Sequence, residues 1–169
     1  MTVAPGITKP DWKRELKALL PLFGHRNWIV VADSAYPAQS RPGIETIVSR
    51  AGQLEVSRTV LNAIAAKKHV HANIYLDQEL QFIAEGDAPG VSRYRAQLAK
   101  LLKSTETITL QHEQIIAKLD QTAQIFRILV IKTKIAIPYT SIFFELDCGY
   151  WSAEAEQRLR RAMAASATK

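Results

Sequence analysis

A single cysteine, Cys148, occurs in 169 residues. No internal disulfide can therefore form, and the sequence predicts a reducing, cytoplasmic setting. No apolar run approaches the ~20 residues that span a bilayer. The leading stretch MTVAPGITKPDWKREL has no apolar signal-peptide core, so no membrane partner is expected. Neither G-x-G-x-x-G nor a P-loop is present, which leaves a Rossmann cofactor or an NTPase without support. His69, His71 and His112 lack the companion ligands and spacing of a zinc site, so neither metal nor other cofactor is expected. The net charge of +6 is spread over Lys13-Arg14, Lys67-Lys68 and Arg158-Arg160-Arg161, without the patch that nucleic acid would need. Internal repeats and low-complexity tracts are also lacking.

What remains is globular in character. Apolar residues make up 47% and charged residues 22%, a composition that supports one domain with a real core. Residues 1–10, with Pro5, Gly6 and Pro10, read as a flexible lead. Asp11 can cap a helix from Trp12 towards Phe23 that Pro21 kinks or ends early. Trp28 to Ala32 is a continuous apolar run, as in a central strand covered on both faces. Residues 44–48 suit a short strand or the start of a helix. A helix follows over 55–67, a strand over 70–76, and an Asp77-capped helix through Ile83. Further helices are expected over 92–103 and 112–126, flanking a brief strand at 107–110. Ile128–Ile131 and Ser141–Leu146 are strands rich in β-branched and aromatic residues. A terminal helix is expected over 152–169, peripheral and marginal alone. Strands alternating with helices predict an α/β domain over 11–151, in three layers, with a mixed, largely parallel sheet and an extra C-terminal helix.

Two constellations could carry chemistry. The first is Gly24-His25 followed by Asp33 at the carboxyl end of a strand, the edge at which open α/β sheets bind ligands. A histidine there can exchange protons near neutral pH, and the aspartate can accept hydrogen bonds from sugar-like hydroxyls. The plainer account is a solvent-exposed histidine and a loop-capping aspartate. The second is Lys132-Thr133 with Pro138-Tyr139-Thr140-Ser141, which Pro138 places at the mouth of a strand. Its plainer account is a polar turn whose tyrosine packs at the core edge. Cys148, near a strand end, suits a buried small residue better than a nucleophile.

The stretch Gly24-His25 with Ile29-Val30-Val31-Ala32-Asp33-Ser34-Ala35 and Pro37 resembles the N-terminal signature of the D-ribose pyranase / L-fucose mutarotase (RbsD/FucU) family. Val130-Ile131-Lys132-Thr133 followed by Pro138-Tyr139 and Ser141-Ile142 is similar to its C-terminal signature. The resemblance implies a cofactor-free sugar isomerase, interconverting anomers or ring forms of a ribose- or fucose-like monosaccharide. It also implies a homo-oligomeric ring, typically a decamer, with sites at subunit contacts. Carried over, the catalytic residues become His25, Asp33 and Tyr139. Lys132 and Ser141 become substrate contacts, with His112 as the later histidine, farther from Pro138 than the family pattern has it. Lys134 and Ile135 replace a Gly-Glu pair, Ser141 replaces an asparagine and Ser34 an alanine. These changes bring in a second expectation, a non-catalytic sugar- or metabolite-binding member of the same fold.

Overall fold

The computed structural model describes residues 11–166. The expected lead at 1–10 and the last three residues lie outside them. Asp11 accepts a hydrogen bond from the Lys13 N–H at 3.1 Å and starts α1 (Trp12–Leu19). Pro21 then converts the chain to a 3-10 turn over Leu20–Leu22, because an interior proline removes one helical hydrogen bond. The other elements are β1 (Trp28–Ala32), β2 (Ile44–Val48), α2 (Gln53–Ala65), β3 (Val70–Asp77), α3 (Val91–Leu101), β4 (Thr107–Leu110), α4 (His112–Thr122), β5 (Ile128–Lys132), β6 (Ile142–Cys148) and α5 (Ala153–Ser166). The helix expected after Asp77 is a 3-10 turn, Gln78–Phe82, and Asp77 makes no cap bond to it.

The six strands form one sheet in the order β2-β5-β1-β6-β3-β4. Five run parallel to one another, and β6 runs antiparallel between β1 and β3. The reason is the short connection from β5. Residues 133–141 are too few for the helical crossover a parallel strand requires, so β6 has to return in the opposite direction. The connection passes over the carboxyl end of β1, fixed by Thr133 N–H to the Ala32 carbonyl at 2.8 Å and Ser34 N–H to the Ile135 carbonyl at 2.9 Å. The fold thereby brings Asp33 of the first constellation to the same edge as Pro138, Tyr139 and Ser141 of the second.

The sheet is covered on both faces, which makes three layers. On one face Ile29, Val31, Leu129, Ile131 and Phe144 pack with Leu16 of α1, Val56 and Val60 of α2, and Leu98 of α3. On the other, Trp28, Val30, Val130 and Phe143 pack under Ile115 and Leu119 of α4. All five residues of β1 are buried, as a central strand between two helical layers must be. α5 stands apart: none of its residues is buried.

Beneath the β5–β6 connection lies a buried polar knot. Gln53 donates through Nε2 to the carbonyls of Val31 (2.8 Å) and Thr140 (2.7 Å), and its Oε1 accepts from the Thr133 hydroxyl at 2.6 Å. The Tyr94 hydroxyl adds a second donor to the Thr140 carbonyl at 2.9 Å. Every polar atom of the Gln53 amide is thus engaged in a site that water does not reach, and the connection is held at several points.

Candidate active site

A cleft of about 560 Å³ opens at the carboxyl ends of the parallel strands, a volume ample for a monosaccharide. Asp33, Tyr36, His112, Glu113, Ile137 and Tyr139 are among the residues lining it. Three of the sequence-predicted site residues, Asp33, His112 and Tyr139, therefore meet within one chain. Asp33 follows β1 directly. Its Oδ1 accepts from the Ala35 N–H at 2.8 Å, as a loop-capping aspartate would, while Oδ2 lies 3.5 Å from the Ser141 hydroxyl. The structural and ligand-facing accounts of Asp33 are compatible, since each carboxylate oxygen serves one.

Tyr139 sits in the left-handed region, φ 55°, a conformation a bulky residue adopts only when its surroundings impose it. The bonds on Thr140 just beyond it supply that constraint. Its ring meets the His112 ring edge-on, with centroids 5.5 Å apart. Tyr36 also lines the cleft, and burial pushes its phenol up to about 12. It therefore remains a protonated hydrogen-bond donor at any physiological pH.

His112 is the first residue of α4, and its Nδ1 lies 3.0 Å from Oδ1 of Asp77. The backbone N–H of His112 donates to the Glu79 carboxylate at 3.0 Å, so the entry into α4 is fixed from two sides. Asp77, the last residue of β3, is fully buried at the side chain, and its Oδ2 has no hydrogen-bond partner among the described residues. Desolvation pushes the Asp77 carboxyl above the usual carboxylate range, while its hydrogen bond to Asp77 holds His112 above the ordinary histidine value. Both shifts belong to the pair, which shares one proton between Nδ1 and Oδ1. With Nδ1 turned to Asp77, Nε2 is the nitrogen left to exchange a proton in the cleft. Asp77 was not among the residues expected at a site. Its signal was its position at the carboxyl end of a strand, where a capping role was assigned to it instead.

His25 does not join this cleft. It precedes β1 whereas Asp33 follows it, and β1 alone spans roughly 16 Å. Within one chain, a strand therefore separates the two residues of the first constellation, His25 and Asp33. At its own edge His25 forms a second dyad, Nδ1 to Oδ1 of Asp147 at 2.6 Å. Arg26 donates from Nε to Nε2 of His25 at 3.1 Å, so Nε2 is the unprotonated nitrogen and Nδ1 carries the proton given to Asp147. Partial desolvation raises the Asp147 carboxyl, but the Cys148 N–H and His25 outweigh it and hold it below the usual range. A cavity of about 650 Å³ lies beside this dyad, between His25, Asp147 and the segment leading into α5.

Lys132 ends β5 beside Ala32 and stands outside the cleft lining. Ser141 is buried and touches the site through Asp33 alone. Lys134 and Ile135, the departures from the family pattern, open onto a different depression, between the N-termini of α2 and α3. His69 and His71 bond separately to the carbonyls of Phe23 and Cys148. Among the described residues no three His, Cys, Asp or Glu side chains converge where a metal ion could sit. No helix among them is long and apolar enough to cross a membrane.

The model of the RbsD / FucU transport protein family matches residues 9–148, most of the chain. The chain belongs to this family. Among solved structures, RbsD of Bacillus subtilis complexed with D-ribose is similar at 17% identity and a TM-score of 0.55, covering 87% of this chain and 98% of that one. FucU from Bifidobacterium longum is similar at 17% identity and a TM-score of 0.50, over 79% of this chain and 94% of its own. The fucose mutarotase of Streptococcus pneumoniae, in complex with L-fucose, shares 18% identity at a TM-score of 0.49, over 78% and 89%. At these identities the likeness to the Bacillus subtilis and Bifidobacterium longum structures establishes the fold that the RbsD / FucU match also implies. No curated protein gives a significant match.

Proposed function

We propose that this RbsD/FucU member is a monosaccharide mutarotase or pyranase that opens and recloses the ring of a free ribose- or fucose-like sugar by general acid–base catalysis. The observation that carries the reading is the His112–Asp77 dyad, set at the carboxyl edge of the sheet in one cleft with Asp33 and Tyr139. Opening a cyclic hemiacetal requires a base at the anomeric hydroxyl and an acid at the ring oxygen. The proton leaves the anomeric O–H, the bond from C1 to the ring oxygen breaks, and the ring oxygen receives a proton. Rotation about the open aldehyde and reclosure then give the other anomer or ring size. His112, whose affinity for a proton is raised, suits the acid. His25 suits the base through Nε2, once Arg26 releases that nitrogen.

The two histidines lie at opposite ends of one sheet, so this chemistry requires the cleft of one subunit to meet the His25 edge of another. A homo-oligomer with sites at subunit contacts meets that requirement. Asp33 and the Tyr36 phenol grip sugar hydroxyls in this arrangement, and Tyr139 bounds the ring. The related RbsD that binds D-ribose makes ribose the first substrate to test. A sugar-binding protein without turnover remains the second reading, favoured by Arg26 covering the basic nitrogen of His25. Lys134 and Ile135 line a different depression from this cleft.

Saturation-transfer NMR on D-ribose and L-fucose reads anomer exchange directly. Acceleration that His25→Ala abolishes supports the enzyme. Binding without acceleration supports the second reading, and no binding of either sugar contradicts both.

A further inference from the structure

Beyond residue 148, where the RbsD/FucU match ends, the chain builds something of its own beside His25. Gly149 turns it there: a Cβ at that position would lie 2.6 Å from the Lys68 carbonyl oxygen and 2.8 Å from the Val70 nitrogen. Only glycine allows so close a backbone approach. The turn carries Trp151 into the wall of the 650 Å³ cavity that also holds His25 and Asp147. The indole Nε1 donates to Oε2 of Glu156 at 2.9 Å, and Arg160 donates from Nε to the other oxygen of the same carboxylate at 2.6 Å. The carboxylate–guanidinium pair on α5 therefore sets the ring's orientation, while 48% of the residue stays exposed.

An exposed, oriented indole in an open cavity next to His25 has the form of a carbohydrate-stacking surface. The C–H face of a pyranose is apolar and its edge is polar, and an aromatic face with a polar rim accepts both. We infer that Trp151 is a substrate-binding residue contributed by the C-terminal segment, stacking on the sugar that His25 deprotonates, and that α5 serves to hold it. This rests on the proposed sugar isomerisation and adds to it a residue outside the RbsD/FucU match. It also gives α5 a reason to exist without burying any side chain.

Two readouts test it, both on the full-length assembled protein. Trp12 and Trp28 are buried and Trp151 is not, so acrylamide quenching of tryptophan fluorescence reports chiefly on Trp151. Saturating D-ribose or L-fucose should protect that exposed component in the unaltered protein. By NMR exchange, Trp151→Leu should raise KM roughly tenfold, the loss of one aromatic contact, with kcat changed much less. Trp151→Phe should retain most of the affinity, and Glu156→Gln should fall between. A sugar that accelerates normally in Trp151→Leu with unchanged KM, or that leaves the indole as quenchable as before, overturns the assignment while sparing the isomerase reading. No acceleration of either sugar by the unaltered protein overturns both.

Discussion

The sheet ends in two histidine–aspartate pairs that use the same atoms in opposite surroundings. At the carboxyl edge, His112 pairs with an Asp77 side chain that is 0% exposed; at the amino edge, His25 and Asp147 are 55% and 41% exposed. The longer contact is the more consequential. A fully buried carboxylate depends on its one partner, whereas the 2.6 Å surface contact is screened and adds little to stability. The rigid end holds its groups by the Gln53 knot and the Glu79 contact to α4, and the open end is bordered by an exposed segment. A site assembled from both ends would combine a fixed acid with an accessible base.

The comparison can be broken first at the buried end. His112→Ala leaves Asp77 as an unpaired buried carboxylate and should cost about 3 kcal/mol in denaturant unfolding near neutral pH. The sign with pH follows from burial alone. In that variant the folded carboxyl titrates above its unfolded value, so the penalty should shrink as pH falls through the raised folded value. His112→Gln, whose amide can still donate to Asp77, should recover most of the stability. Both variants should lose at least about 100-fold in anomer exchange, the usual scale of a general acid.

Gln53→Leu tests what fixes the connection over β1. The Thr133 hydroxyl keeps its second acceptor, the Ala32 carbonyl at 3.0 Å, but part of the bonding to the Val31 and Thr140 carbonyls is unmade, so roughly 2 kcal/mol of stability should be lost. Anomer exchange should fall as well, because Tyr139 is held from Thr140.

A sharper probe is the titration of His112 by NMR. Its midpoint should lie above that of an unperturbed histidine and drop in Asp77→Asn, which removes the carboxylate that raises it. The charged pair's contribution to stability is full below the unfolded histidine value and is lost as pH rises through the raised folded one.

The smallest effect belongs to the open end. Asp147→Asn should change stability by less than about 1 kcal/mol, and less still at high salt.

Much of this architecture is legible in the sequence, and the failures share a cause. The runs at 28–32 and 128–131 announce central strands because burial on both faces demands unbroken apolar residues. Asp33 and Tyr139 are legible because each sits at a strand mouth with a nearby proline. The antiparallel insertion of β6 between β1 and β3 is a matter of pairing, which no local pattern encodes. His25 and Asp33 look adjacent because eight positions are few, yet an extended strand converts them into a span of the whole sheet. Asp77 was assigned to a helix cap because its actual partner, His112, comes 35 positions later. Trp151 closes the expected 11–151 domain, one position before the terminal helix, and belongs to no periodic pattern.

The central claim is that one catalytic site draws its acid from one subunit and its base from the next. Co-refolding inactive His25→Ala chains with inactive His112→Gln chains tests it most directly, read by anomer exchange on D-ribose and L-fucose. Random pairing should restore roughly a quarter of the unaltered activity, since only a His25→Ala cleft facing a His112→Gln neighbour regains both histidines. A mixture that assembles yet stays as inactive as its parents would contradict the account.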